Sequence, residues 1–93
     1  MLSQSPINLQ NIKNEDIDKE ILRLAMSAEL DAISLYEQLA ATTKNANVAK
    51  IFLDIAKEEK THLGEFQALL LKLDQEQMRE LDNGKKEVEE KTG

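Results

Sequence analysis

Two stretches of the chain carry apolar side chains at the alternating spacings of three and four residues that mark one face of an α-helix. In the first stretch this seam is formed by Leu22, Ala25, Glu29, Ala32, Tyr36 and Leu39. In the second it is formed by Val48, Phe52, Ile55, Glu59, His62, Phe66, Leu69 and Leu73. Seams of this kind are typical of helices packed in a bundle, and no stretch shows the strict alternation of a β-strand.

Turn and capping residues set the expected bounds of these helices. Residues 14–16 resemble a helix start, and "TTKNAN" at residues 42–47 favours a turn. Asp74 and Gln77 resemble a capping box that opens a short third helix, which "DNG" at residues 82–84 is expected to end. The sequence is predicted to form three segments: an irregular part over residues 1–13, a helical domain over residues 14–81, and a charged tail or linker over residues 82–93. Within the helical domain, helices are expected at about 14–41, 48–73 and 75–81. The predicted fold is all-α: an antiparallel two-helix hairpin plus a short C-terminal helix, which dimerises into a four-helix bundle.

Three polar residues interrupt the two seams: Glu29 in the first, and Glu59 and His62 in the second. The midpoint between the two glutamates is Lys44, inside the predicted turn, so an antiparallel hairpin brings both to the same level, roughly 20 Å from the bend. Buried carboxylates are costly, and each raises the cost of the other. Protonation, pairing with Lys or Arg, or a metal ion would relieve that cost. Since neither seam carries a Lys or Arg, metal binding is the favoured explanation.

The types of donor atom narrow the choice of metal. Carboxylate oxygens with one imidazole suit iron or manganese, and zinc less specifically. Di-iron four-helix bundles use one Glu from each of two helices and a Glu-x-x-His pair from each of the other two. This chain supplies one such Glu, at position 29, and one such pair, Glu59 and His62. Two copies related by a two-fold axis would complete the set, and their four carboxylates would balance the charge of two ferrous ions.

Composition excludes several other classes of function. The 93 residues carry a net charge of −6, which disfavours nucleic-acid binding because phosphates require a basic surface. With no cysteine, the chain forms no disulfide, zinc–thiolate site or iron–sulfur cluster. The N-terminal residues lack the basic start and apolar core of a signal peptide, and no apolar run approaches the length of a membrane span. We therefore expect a cytoplasmic protein with no membrane partner.

Two motifs resemble those of the encapsulated ferritins, a two-helix branch of the ferritin-like proteins. They are "AELDAISLYEQLA" at residues 28–40 and "DIAKEEKTHLGEF" at residues 54–66, and the resemblance extends more weakly over most of residues 15–81. It implies a ferroxidase that oxidises Fe(II) to Fe(III), with oxygen or peroxide, at a di-iron centre shared by two chains. The dimers are expected to assemble into a ring, with a decamer as the expected size, inside an encapsulin nanocompartment that stores the oxidised iron.

The resemblance also implies roles for individual residues. Glu29, Glu59 and His62 match the metal-binding and catalytic residues of the family. Tyr36 matches a tyrosine beside the site, although an ordinary interface aromatic explains it equally well. Asp31 matches one acid on the path by which metal reaches the site, but it lies off the seam, as a solvated acid would.

The sequence also resembles part of a fusion protein, and it leaves two alternative functions open. In some archaeal relatives this domain is the N-terminal part of the shell protein itself, and the ending "KKEVEEKTG" resembles the junction in such fusions. One alternative function is a rubrerythrin-like di-iron peroxidase, against which the lack of cysteine counts. The other is a metal-free helical oligomerisation or adaptor module, in which the seam acids are protonated or hydrated.

Overall fold

The computed structural model describes residues 8–93, and these fold into three α-helices. In chain order the elements are 3-10 turns at Leu9–Asn11 and Asn14–Asp16, α1 at Ile17–Thr42, α2 at Ala46–Leu73 and α3 at Gln75–Thr92. The described residues contain no β-strand, which confirms the all-α prediction. None of their helices is both long and apolar enough to cross a membrane. Of the predicted irregular segment, residues 8–13 contain a 3-10 turn, and residues 1–7 lie outside the described part.

α1 and α2 form an antiparallel hairpin closed by a short turn. The Asn45 side chain accepts hydrogen bonds from the backbone N–H groups of Asn47 at 3.0 Å and Val48 at 3.1 Å, which caps the start of α2. The Thr43 N–H donates to the Leu39 carbonyl at 3.1 Å and closes the end of α1. The "TTKNAN" stretch therefore forms the bend, as predicted, although each helix runs one or two residues further into it than expected.

The third helix is longer than the sequence predicted. Asn83 and Gly84 lie inside α3, and neither has a positive φ. A glycine typically ends a helix by taking the left-handed conformation, which Gly84 does not adopt. Good helix formers follow it, and Lys86 pairs with Asp82 one turn earlier at 3.1 Å. The prediction that "DNG" ends this helix is wrong for that reason, while a linker role for residues 82–93 stays a prediction.

The core between α1 and α2 is small. The buried apolar residues of the described chain are Ile33, Ala40, Ala56 and Leu70. Each follows a predicted seam position by one residue, so the core of the hairpin lies beside the seam rather than along it. Seam residues such as Leu69 and Leu73 remain 51% and 48% exposed. The seam is therefore shared between the hairpin core and a neighbouring exposed surface.

This exposed surface, which we call the open face, runs along one side of the hairpin. Its exposed members are Ile21, Leu35 and Leu39 of α1 and Ile51, His62, Leu69 and Leu73 of α2. A shallow groove of about 350 Å³ lies on this side between Ile21 and Leu22 of α1 and Leu69 and Leu73 of α2. Contiguous apolar surface of this kind marks an interaction site, because a monomer gains nothing by leaving it in water.

A single residue, Asp74, joins α2 to α3. Its Oδ1 atom accepts a hydrogen bond from the Gln77 N–H at 2.9 Å and caps α3, as predicted. Its Oδ2 atom accepts a second from Arg23 Nη2 of α1 at 3.0 Å, while Arg23 Nη1 donates to Glu20 at 2.6 Å. The capping residue therefore also fastens the root of α3 to α1.

Candidate metal centre

Glu29, Glu59 and His62 meet between α1 and α2. Each offers one ligand atom, and these three atoms lie within 4.8 Å of one another. The Nδ1 atom of His62 lies 3.6 Å from Glu59 Oε2 and 3.8 Å from Glu29 Oε2. The structure thus brings together the three residues that the sequence singled out. Their assignment as metal ligands and catalytic residues stays a prediction.

The two helices hold these side chains by their register. Glu59 and His62 are three residues apart on α2, so they are neighbours on one face. Glu29 reaches them from α1 because it lies as far from the bend as Glu59 does. All three stand in the middle of long helices, where the backbone is held by hydrogen bonds on both sides and does not fray. The ligand atoms are therefore positioned by rigid elements rather than by a loop.

Glu29 is the most deeply placed of the three. Its side chain is 16% exposed, compared with 20% for Glu59 and 47% for His62. The Oε2 atom of Glu29 is buried and has no hydrogen-bond partner among the described residues. The 3.8 Å separation from His62 Nδ1 is too long for a hydrogen bond. A buried carboxylate oxygen without a partner is costly, so this placement favours a bound cation.

Nearby basic side chains do not neutralise the two acids. Lys60 follows Glu59 in sequence, but its Nζ atom lies 2.9 Å from Glu37 on the outer surface. Arg23 is engaged at the root of α3. Within residues 8–93, the only basic side chain paired with either site glutamate is that of His62. Within the described chain, pairing with Lys or Arg therefore does not explain how the two half-buried glutamates are accommodated.

The donor set fits a divalent transition metal. Two carboxylates and one imidazole suit iron or manganese, as the sequence predicted. One chain supplies half of the six protein ligands that a di-iron bundle uses. Because His62 is also a member of the open face, the half-site borders the surface on which another molecule would pack. A cation held by this cluster would satisfy Glu29 Oε2 and offset the charge of both carboxylates.

Tyr36 stacks on Phe52 in the layer next to the site. Their ring centroids are 6.0 Å apart and their planes differ by 17°. Tyr36 lies one heptad after Glu29, and Phe52 lies one heptad before Glu59, so both rings are nearer the bend. The sequence placed Phe52 on the seam but did not predict that this ring would stack on Tyr36. The stacking could have been predicted, because Tyr36 and Phe52 have the same midpoint in the sequence, Lys44, as the two glutamates. The role of Tyr36 beside the site stays a prediction.

Asp31 does not share the face that carries the cluster. It lies two residues after Glu29 on α1 and is partly exposed. Two residues correspond to about 200° around a helix, so its side chain leaves α1 on nearly the opposite side from Glu29. Its role on the path by which metal reaches the site stays a prediction.

Comparison with known proteins shows the family to which the chain belongs. The family model described as Rubrerythrin matches residues 20–92, a range that contains all three cluster residues. Over its whole length the chain is 56% identical to a ferritin-like–encapsulin shell fusion protein of Pyrococcus furiosus, of which it spans 28%. The crystal structure of the encapsulated ferritin domain from Pyrococcus furiosus has a TM-score of 0.85 and 52% identity, and the match covers 98% of this chain and 91% of that one. The chain therefore belongs to the rubrerythrin family and, among the ferritin-like proteins, to the encapsulated ferritin domains.

Proposed function

We propose that two copies of the chain form a di-iron ferroxidase, with Fe(II) as substrate and with Glu29, Glu59 and His62 of each copy as ligands. The observation that carries the proposal is the buried Oε2 atom of Glu29, which has no hydrogen-bond partner within residues 8–93. The ligand atom of Glu29 lies within 4.8 Å of those of Glu59 and His62. Membership of a ferritin-like family supports it as well.

The position of the cluster supports completion by a second copy. His62 is 47% exposed on the open face, where Leu69 and Leu73 are also exposed. A copy related by a two-fold axis and laid on this face would cover those apolar side chains and add its own three donors. The four carboxylates of the pair would then match the four positive charges of two ferrous ions. A dimer therefore accounts for both the open face and the half-site.

The redox chemistry belongs to the iron, and the residues supply binding. Each Fe(II) loses one electron on becoming Fe(III), and oxygen accepts both electrons with two protons to give hydrogen peroxide. With hydrogen peroxide as oxidant, the same two electrons and two protons give two waters. Carboxylate oxygens are hard ligands, so Glu29 and Glu59 suit iron in both oxidation states. His62 binds only as the neutral imidazole, so iron and protons compete for the site.

We also propose that the protein works inside an encapsulin shell. The Pyrococcus furiosus relative is described as a fusion of a ferritin-like domain with an encapsulin shell. A hairpin of two long helices is half of the four-helix bundle from which ferritin-like proteins are built, so a separate container is proposed to hold the ferric product. Dimers are proposed to assemble into a ring, with a decamer as the expected size, inside such a shell in the cytoplasm.

Anaerobic titration with Fe(II), followed by oxygen, tests the activity. We expect one Fe(II) bound per chain, a species no smaller than a dimer by native mass, and near-ultraviolet absorbance that rises as Fe(III) forms. Glu59→Ala or His62→Ala should abolish the oxidation, because each removes two ligands from a two-fold site. Glu58→Ala is the matched control, since Glu58 is an exposed acid beside the site, and it should oxidise iron at the wild-type rate. Equal rates in every variant would contradict the ligand assignment.

The same titration separates the alternatives. Replacing oxygen with hydrogen peroxide measures which oxidant reacts faster, and a clear preference for peroxide would favour the rubrerythrin-like peroxidase. Metal analysis of protein purified without added iron, and again after anaerobic loading, tests whether the chain is a metal-free adaptor module. A chain that holds no metal in either state would be a helical oligomerisation module.

A further inference from the structure

One dipeptide inside α3 is chemically labile. Asn83 is followed by Gly84, whereas the other asparagines of the chain are followed by Leu, Ile, Glu, Ala or Val. Asparagine is among the thermolabile residues. It is most labile before glycine, because glycine has no side chain to keep its backbone nitrogen away from the preceding side-chain amide. Asn83 is therefore the residue of this chain that is most prone to lose its amide.

Loss of the Asn83 amide is an intramolecular substitution followed by hydrolysis. The Gly84 backbone nitrogen attacks Cγ of Asn83, the bond from Cγ to Nδ2 breaks, and ammonia leaves with the proton of the Gly84 N–H. Water then opens the resulting cyclic imide at one of its two carbonyl carbons. Addition at Cγ gives aspartate, and addition at the backbone carbonyl carbon gives isoaspartate, in which the main chain runs through Cγ. One water is consumed and one ammonia is released, and nothing is oxidised or reduced.

The helical backbone of α3 opposes this reaction. In the helix the Gly84 N–H donates to the Glu80 carbonyl, so its nitrogen is held away from Cγ. The planar imide needs Cβ of Asn83 and the Gly84 nitrogen on the same side of the Cα–C bond, which a helical ψ of about −42° does not allow. The Asn83 side chain also reaches back one turn, where Nδ2 donates to Glu80 Oε1 at 3.2 Å. Ring closure therefore requires α3 to open first at residues 83 and 84.

Little in the described chain holds this part of α3 closed. Every residue from 78 to 93 is exposed. The Lys86–Asp82 pair, at 3.1 Å, joins side chains that are 65% and 64% exposed, and exposed pairs of this kind contribute little to stability. An isolated helix of 18 residues is marginal in water. Local opening at Asn83 therefore costs much less free energy than unfolding of the α1–α2 hairpin.

We propose that Asn83 is a site of spontaneous deamidation, that local opening of α3 sets the rate, and that the isoaspartate product ends the helix. Isoaspartate adds one atom to the main chain, so the groups on its two sides no longer meet in the regular hydrogen-bonded rings of an α-helix. Residues 85–92, which are all of α3 beyond the dipeptide, are too few to form a stable helix alone in water. The modified α3 therefore ends before residue 83.

This modification is independent of the candidate metal centre. Glu29, Glu59 and His62 lie on α1 and α2, and none of the three is on α3. The hairpin that positions them keeps its own core of Ile33 and Ala56, among others, when the end of α3 unwinds. The deamidation therefore stands or falls separately from the ferroxidase.

Peptide-mapping mass spectrometry of the 93-residue chain, aged at mildly alkaline pH and one chain concentration, measures the rate at each asparagine. A synthetic peptide of residues 79–88 gives the rate without a helix. Minor local states are populated at about 0.1–10%, so we expect Asn83 in the protein to react roughly tenfold to a thousandfold more slowly than in the peptide. Asn45 and Asn47, which precede Ala and Val, are internal controls and should stay intact. A rate equal to that of the peptide, or no reaction at Asn83 after the peptide is fully converted, would overturn the proposal.

Glu87→Pro tests whether opening sets the rate, because it leaves the dipeptide unchanged. Proline at this position has no N–H to donate to the Asn83 carbonyl, and its ring clashes with that carbonyl, so α3 should open there. We expect Asn83 to react at nearly the rate of the peptide. Glu87→Ala is the matched control, since it removes the same exposed carboxylate and keeps the helix, and it should react no faster than wild type. Equal rates in the two variants would show that helix opening does not control the reaction.

The product is tested by comparing aged wild type with Asn83→Gln protein aged in the same way. An isoaspartate-specific methyltransferase should label aged wild type and leave Asn83→Gln unlabelled. Circular dichroism should show a loss of helix in aged wild type only, while anaerobic Fe(II) binding should match between the two proteins. Freshly purified Asn83→Asp, which adds the charge without the extra backbone atom, should keep its helix. Aged wild type without isoaspartate, or with isoaspartate and undiminished helix, would refute the proposed end of α3.

Discussion

Phe52 and Tyr36 stack across the hairpin with their ring centroids 6.0 Å apart, one heptad nearer the bend than Glu59 and Glu29. The rings therefore fill the layer beside the candidate metal centre and join α1 to α2 at that level. Aromatic pairs contribute about 0.5–1.5 kcal/mol beyond the area they bury. The spacing of the two helices at the cluster thus depends in part on this contact.

Replacing Phe52 by Leu should lower the free energy of unfolding by about 1 kcal/mol, because it removes the ring contact and leaves most of the apolar volume. Tyr36 is the only tyrosine, and the chain has no tryptophan, so near-ultraviolet circular dichroism and fluorescence report on this one ring. Both signals should change in Phe52→Leu with metal removed. Phe66→Leu is the control, since it truncates the other phenylalanine and spares the stack. Equal changes of the tyrosine signals in both variants would show that the stack does not fix Tyr36.

Glu29→Met should stabilise the metal-free protein and abolish metal binding. The change replaces a half-buried carboxylate, whose buried Oε2 atom has no hydrogen-bond partner in the described part of the chain, with an apolar side chain of similar length. Leaving a buried polar group unsatisfied costs about 1–3 kcal/mol, so the gain in the free energy of unfolding should be of that order. Denaturant unfolding in a chelator, at fixed chain concentration, measures it. Glu58→Met, at an exposed position, should change stability by less than about 0.5 kcal/mol, and a destabilised Glu29→Met would contradict a costly carboxylate.

The hairpin and the cluster were predictable because both follow from helical period and from distance to the bend. Glu29 and Glu59 are equally far from Lys44, so an antiparallel hairpin brings them together whatever the details of packing. The sequence did not predict which side of each seam would be buried in the hairpin core and which would stay exposed. The core uses Ala56 and Leu70, one residue after seam positions, because two helices of a hairpin bury only the side of each apolar stripe that faces the other helix.

The sequence prediction made α3 too short, because the turn residues at positions 83 and 84 were given more weight than the helix-forming residues that follow them. Asn83 and Gly84 are common where helices end, but a glycine that ends a helix typically adopts the left-handed conformation, and Gly84 keeps a helical backbone instead. The Arg23–Asp74 pair was also missed, since the two residues are 51 positions apart and no periodicity links them. The sequence did predict that Asp74 caps α3, but it did not indicate a partner for the second carboxylate oxygen of Asp74.

Gly84→Ala should stabilise α3. An added methyl group would meet nothing within 4 Å, and the backbone there is helical. Glycine in a helix interior costs about 0.5–1 kcal/mol relative to alanine, so we expect a gain of that size and a rise in helix content by circular dichroism. Gly64→Ala, in the middle of α2 and equally open, is the matched comparison and should gain as much. A Gly84→Ala protein with less helix than wild type would indicate that Gly84 ends α3 in solution.

Acid should weaken the contribution that Asp74 makes to the stability of the fold. The hydrogen bond from the Gln77 N–H lowers the pKa of the Asp74 carboxyl most, and the charges of Lys19 and Arg23 lower it further, outweighing the opposing effect of burial. An unfolded Asp has a pKa of about 3.9. Because the folded pKa is lower, ionised Asp74 stabilises the fold above about pH 4, and this contribution is lost as the pH falls through the folded pKa.

Asp74→Asn isolates this effect, because the asparagine keeps a capping oxygen but does not titrate. We expect wild type to be more stable than Asp74→Asn from pH 7 to about pH 5, and the difference to shrink below about pH 4. Denaturant unfolding of both proteins in a chelator, at one chain concentration between pH 7 and pH 3, measures it. A difference that stays constant or grows on acidification would mean that the ionised carboxylate of Asp74 does not hold α3 against α1.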